Sequence, residues 1–285
     1  MLFSGKTGRW AALVLAGLTL LSVRAPAETM SEKTLKEIVA RERNIFSRAE
    51  KEGEHLDEAW LRGELQSVIN SYDVLIQRSP DFAPAYVTYG LLLGKVGMTK
   101  EAVGILLKAN KLDPDIPIVK NQLAKHLAED GKPVEALPWI MAAIQLEPKE
   151  PLYHYHLGML LTEGREDFIR TGQFTRPALD RAMLEAFAHA AEYAPDNFAY
   201  AYRHAEAYAD LEKPRWDEAL KAWGALEDRA KPGVEKETIR LQAANVLIKQ
   251  GQREKAQAML AMVSEPALAK QKQTLLDQLA PKSEK

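Results

Sequence analysis

Histidines and carboxylates are the residues in this chain that could hold a metal or move a proton, and their spacing argues against both. His154 and His156 stand two apart. On a helix they point about 200° away from each other and cannot share one ion. His55, His126, His189 and His204 are scattered over other segments, so packing or surface histidines are the expectation. Glu163, Glu166, Asp167, Asp210, Glu227 and Asp228 form the acidic groupings expected on any solvated helical surface. The chain has no Gly-x-Ser-x-Gly elbow and no two-histidine zinc helix. It has no cysteine, so thiol nucleophiles, thiolate-held metals and disulfides are excluded. Gly5-Lys6-Thr7 has the ending of a phosphate-binding loop but lacks the upstream glycine and a preceding strand. No catalytic residue, metal ligand or cofactor is therefore expected, and the chain reads as a non-enzyme.

Recognition remains, and the elements that would present it are organised around two blocks of 34 residues, 83–116 and 117–150. Shifted by 34, Gly90 falls on Ala124, Leu93 on Leu127, Gly97 on Gly131, Ala102 on Ala136, Ala109 on Ala143, Leu112 on Leu146 and Pro114 on Pro148. A period in this range marks a stacked array. Tyr86, Tyr89, Gly90 and Leu93 share one helical face, with Leu91, Leu92 and Lys95 on others. Gly97 ends that helix. Ala102, Leu106 and Ala109 make the face of a second, which stops at Asp113-Pro114. Each block is two antiparallel helices, and the small residues Gly90 and Ala102 let them approach closely.

Tyr86-x2-Tyr89-Gly90-x2-Leu93, followed by Ala102, Ala109 and Pro114, resembles the tetratricopeptide repeat family. The likeness covers roughly residues 49–263 and weakens toward both ends. It implies an all-α, right-handed solenoid of about five or six antiparallel helix pairs, curved around a concave groove. It also implies that the first helix of each pair lines the groove, through Val87, Leu91, Asn121, Lys125, Tyr155, Met159, Tyr202, Glu206, Leu241 and Asn245. Tyrosine offers contact area with a polar handle, and asparagine can pin an extended backbone. The implied partner is a protein or peptide. Asn121 and Lys125 alone do not amount to a carboxylate clamp.

The remaining sequence divides around these blocks. Residues 1–27 join the basic Lys6 and Arg9 to an apolar run and end in Ala25-Pro26-Ala27, the pattern of a secretory signal peptide cut after Ala27. The mature protein would then be periplasmic or secreted, with no membrane span. Without Lys6, Arg9 and Arg24, the net charge falls from −2 to near −5, and no basic stripe suits nucleic acid. Residues 28–82 read as N-terminal helices and a degenerate first repeat, with Glu42 falling in the apolar stripe of the first helix. Residues 151–197 form a repeat with 13 extra residues near 165–177, since Pro148 and Pro195 are 47 apart. A degenerate repeat (198–233), a helix pair (234–263) and a capping helix with tail (264–285) complete the chain. Pro138 is expected to bend the start of its helix. The insertion either overhangs the groove with Phe168 or Phe174 as an anchor, or extends a helix whose phenylalanines pack on the next repeat. Two functions fit: a binding scaffold in the cell envelope, or an assembly subunit acting through its convex face or ends, the leucines of the last helix included. The oligomeric state is left open.

Overall fold

The computed structural model describes residues 29–279; the signal peptide expected at 1–27 lies outside them. Among the described residues there are fourteen α-helices, two 3-10 turns and no strand. The helices gather into two compact units, one ending at His126 and the other beginning at Leu127.

The first unit contains α1 (Met30–Glu52), α2 (Glu58–Arg78), α3 (Ala83–Lys95), α4 (Thr99–Leu112) and most of α5 (Pro117–Glu129). Thr29 opens α1 with a capping box: its hydroxyl accepts from the Glu32 amide, and the Glu32 carboxylate accepts from the Thr29 amide. Asp57 opens α2 by accepting from the amides of Ala59 and Trp60. The core joins Ile38 and Ile45 to Val68, Tyr72 and Leu75, and then to Ala85, Tyr89, Leu92 and Leu93. Leu92 is thus fully buried, although it lies off the face shared by Tyr86, Tyr89, Gly90 and Leu93. An internal helix packs against its own partner and against the preceding pair, so it needs two apolar faces. Glu42 does lie in the stripe of α1. It accepts from the Tyr72 hydroxyl at 3.2 Å, and the Tyr72 ring stacks on Tyr89 at 5.1 Å.

The second unit contains α6 (Pro133–Leu146), α7 (Pro151–Glu163), α8 (Arg165–Arg170), α9 (Arg176–Tyr193), α10 (Phe198–Ala207), α11 (Trp216–Glu227), α12 (Val234–Lys249), α13 (Arg253–Ala261) and α14 (Ala269–Leu279). Pro138 is exposed, and α6 runs through it as one helix. In the first pairs, Gly97 and Gly131 reverse the chain with φ of 83° and 72°. After α7, Gly164 has φ −85° and leads straight into α8; the reversal moves to Gly172, at φ 71°. Two lobes of apolar packing follow this point, the last formed by Leu241, Leu247, Leu260, Val263, Leu268 and Leu279. Leu275 and Leu276 also pack there, part exposed, so the leucines of α14 contribute to the chain's own core. Glu237 secures that end, accepting from the amides of Ser264 and Glu265 at 2.6 and 2.7 Å. These backbone donors, that of Glu265 first, hold its carboxyl below the usual carboxylate range.

Candidate functional site

In the second unit the first helices of three successive pairs, α7, α10 and α12, are tied side to side by polar contacts. Arg203 on α10 donates to the Thr162 hydroxyl on α7 at 3.3 Å. Gln242 on α12 donates to the Tyr202 hydroxyl on α10 at 2.7 Å. The rings of Tyr155 and Tyr200 lie 5.0 Å apart across the first junction. Tyr202 also meets Trp223 of α11 edge-on at 4.8 Å. Tyr155, Met159, Tyr202, Glu206 and Asn245 all keep part of their surface exposed on these helices. Burial, followed by the charge of Glu206, raises the Tyr202 phenol above its ordinary pKa. Burial likewise raises the carboxyl of Glu206 and depresses the imidazole of His204. Leu241 is different: it sits 3% exposed in the terminal core, covered by the last helices.

In the first unit the corresponding residues are more deeply placed. Leu91 and Lys125 are part exposed, whereas Val87 is buried and Asn121 fully so. Neither Val87 nor Asn121 presents a surface to a partner. α3 and α5 approach each other closely there: a Cβ on Gly94 would stand 2.8 Å from the His126 ring. His126 is itself buried.

The insertion is not an overhanging loop. It consists of α8, the turn at Gly172 and the start of α9. Phe168 is fully buried, and Phe174 packs edge-on against it at 5.7 Å. A Cβ on Gly164 would strike both Pro133 and Phe168, so α8 is seated at the start of α6. Phe168 is therefore part of the packing between α8 and the start of α6 and cannot act as a surface anchor, and Phe174 packs on it.

The arginines of the insertion reach the other way. Arg165 and Arg176 both donate to the Asp210 carbonyl, at 3.1 and 2.9 Å. Arg203 donates to the Asp210 carboxylate at 2.7 Å, and its guanidinium lies 4.3 Å over the Phe187 ring. Asp180 accepts from Arg176 at 2.8 Å and from the Glu212 amide at 2.7 Å. The insertion at 165–177 thus grips the loop that carries the two surplus residues near Lys213-Pro214. Arginines in the insertion and an aspartate in the later loop are visible in the sequence. Their convergence is not, because the partners lie 34 to 45 positions apart.

The histidines show no common focus for a metal, and no group of three or more His, Cys, Asp or Glu among the described residues is placed to hold one. His154 bonds to the Pro148 carbonyl at 2.8 Å and packs edge-on against His189 and Tyr193. Burial depresses its pKa, the carbonyl opposing and His189 adding to the shift. Among the described residues no helix is long and apolar enough to cross a membrane.

Paired helices in a 34-residue register, with glycine or alanine at the crossing and the first helices side by side, define the class: this is the tetratricopeptide-repeat fold. Solved structures share it. The chain is similar to PilW, a widely conserved type IV pilus biogenesis factor, with TM-score 0.59 and 12% identity, over 88% of this chain and 100% of that one. It is similar to MamA from Desulfovibrio magneticus RS-1, with TM-score 0.51 and 15% identity, over 71% of this chain and 96% of that one. A double mutant of MamA RS-1 gives TM-score 0.52 at the same identity and coverage. No protein-family model and no curated protein matches the chain. At these identities the likeness concerns the fold.

Proposed function

We propose that the chain is an exported, non-enzymatic scaffold that holds a protein or peptide of the cell envelope along α7, α10 and α12. The observation that carries this reading is the alignment of those three helices, with Met159, Tyr202, Glu206 and Asn245 part exposed on them. The aromatic rings supply apolar area, while the carboxylate and amide supply direction. In the first unit, Leu91 and Lys125 are separate candidate contacts. Export rests on the composition of residues 1–27 alone. Its test is fractionation with N-terminal sequencing of the mature protein, which should begin after Ala27.

A second reading is docking into an assembly through the outer helices. A groove of about 540 Å³ between α11, α12 and α13, lined by Leu220, Met259 and Met262, favours it, as does the likeness to a pilus biogenesis factor. A photo-reactive amino acid placed at Met159, Glu206 or Asn245, and separately at Gly224, Ala258 or Met262, separates the two. Cross-links to partners from the first set support the proposal. Cross-links from the second set alone transfer the function to the outer face.

A further inference from the structure

Glu206 stands apart from the other candidate residues of the second unit, which are Tyr155, Met159, Tyr202 and Asn245. It is the only charged one, and its carboxylate makes no hydrogen bond or ion pair among the described residues. The nearest cation on its own helix, Arg203, is already committed. Arg203 is bonded to Asp210 at 2.7 Å and Thr162 at 3.3 Å, and it lies over Phe187. Arg165 and Arg176 are likewise drawn to Asp210 and Asp180. Arg165 and Arg176 are therefore held on Asp210 and Asp180, just past the end of α10 that carries Glu206, and the part-buried carboxylate feels the charge of Arg203 without a direct bond to it. Such a carboxylate loses hydration without recovering it from a partner, a cost that an incoming cation removes.

The surroundings fit a long basic side chain. Tyr202 lies one turn before Glu206 on α10, with its ring held by Trp223 and its hydroxyl by Gln242. An aromatic face beside a carboxylate can take the aliphatic stem and the charged head of lysine or arginine together. Charge over the wider unit agrees. Residues 127–279 hold 24 Asp and Glu against 19 Lys and Arg, whereas residues 29–126 hold 14 of each. The excess acid of the described chain thus belongs entirely to the unit that contains Glu206, and it attracts a basic partner over a distance of several ångströms.

We propose that Glu206 receives a lysine or arginine side chain of an extended peptide laid along α7, α10 and α12, with Tyr202 packed against its stem. This rests on the reading that this face binds peptide. The experiment selects a phage-displayed library of random dodecapeptides on the full chain and on Glu206→Gln, and then sequences the retained peptides. One position enriched in Lys or Arg on the native chain, and no longer enriched on Glu206→Gln, is the expected result. A retained peptide, resynthesised with that residue changed to glutamine, should bind the native chain about tenfold more weakly by fluorescence anisotropy, the loss of one charge-assisted pair. On Glu206→Gln the two peptides should bind alike. Retained peptides with no basic position overturn the inference while leaving peptide binding intact, and so does undiminished basic preference on Glu206→Gln. A native chain that retains no peptide above the bare support overturns the peptide-binding reading and this inference with it. The comparison of charged and neutral peptides on the native chain stands without the variant.

Discussion

The pairs α3/α4 and α7/α9 make the same contact by different routes. In the first, a Cβ on Gly90 would lie 2.7 Å from Leu106, 16 residues later. In the second, a Cβ on Gly158 would lie 2.6 Å from the Phe187 ring, 29 residues later. The difference of 13 is the length of the insertion. Thirteen residues have thus entered between two helices without moving their crossing. They form α8 on one side and the arginine contacts to the 210–215 loop on the other. An interrupted repeat keeps its packing when the interruption is itself packed. The regular pair buries seven of the thirteen residues of α3, whereas α10, beside the interruption, keeps most of its side chains part exposed.

If that contrast is right, the insertion is structural, and its removal should cost more than any change at the regular turn. Phe168→Ala should destabilise the second unit by about 3–5 kcal/mol, the range for a buried aromatic truncated in a core. Urea unfolding followed by circular dichroism measures it; a loss below about 1 kcal/mol would return the insertion to a surface role. Removing the polar grip should cost less. Asp180→Ala leaves the Arg176 Nε and the Glu212 amide without their acceptor and should cost about 2 kcal/mol, with faster hydrogen exchange confined to the 208–215 loop.

The crossings themselves sharpen the comparison. Gly158→Ala should cost about 2 kcal/mol from overpacking, offset only in part by better helix propensity. The Phe187 ring cannot yield easily, because Arg203 lies on it. Gly90→Ala meets a flexible leucine and should cost about 1 kcal/mol or less. Equal losses at the two sites would remove the distinction.

Acid gives the smallest contrast, and buried His154 of the second unit and buried Glu42 of the first should answer it with opposite signs. His154 and His204 have depressed pKa values when folded. Their neutral forms favour the folded state above the ordinary histidine pKa of about 6.5, and that stability is lost as pH falls below it toward the folded values. Glu42 in the first unit is raised by burial, with Lys95 and the Tyr72 hydroxyl opposing. Its contribution is full below the ordinary glutamate pKa and is lost as pH rises through the raised one. Between pH 7 and 5, protection against hydrogen exchange, after correction for the intrinsic rate, should therefore fall in α7 and not in α1 and α2, while in α10 the raised carboxyl of Glu206 opposes His204.

The repeat blocks, the helix-pair organisation and the place of the break were all legible in the residues, because helix packing recurs at short range. Gly90, Ala102 and Gly97 each answer to neighbours within one pair. The candidate surface was legible only as positions. Register placed Val87, Asn121, Tyr155 and Tyr202 at equivalent points, but it could not say that the first two are buried and the last two only part exposed. That depends on what the preceding and following pairs place against them. Glu42 shows the converse, a charge in an apolar stripe that is explained once Tyr72 is seen above it.

The sequence by itself determined the period, the helices and the length of the interruption, since these follow from turn residues and apolar spacing along one helix pair. Tertiary structure alone decided where the interruption goes. Phe168 closes on Pro133 and Gly164, while Arg165 and Arg176 cross 45 and 34 residues to the Asp210 carbonyl. Those contacts join different pairs, and no local spacing encodes them. They also decide that Arg203 is occupied and Glu206 is not, which is why the chemistry of the candidate site appears only when the chain is folded.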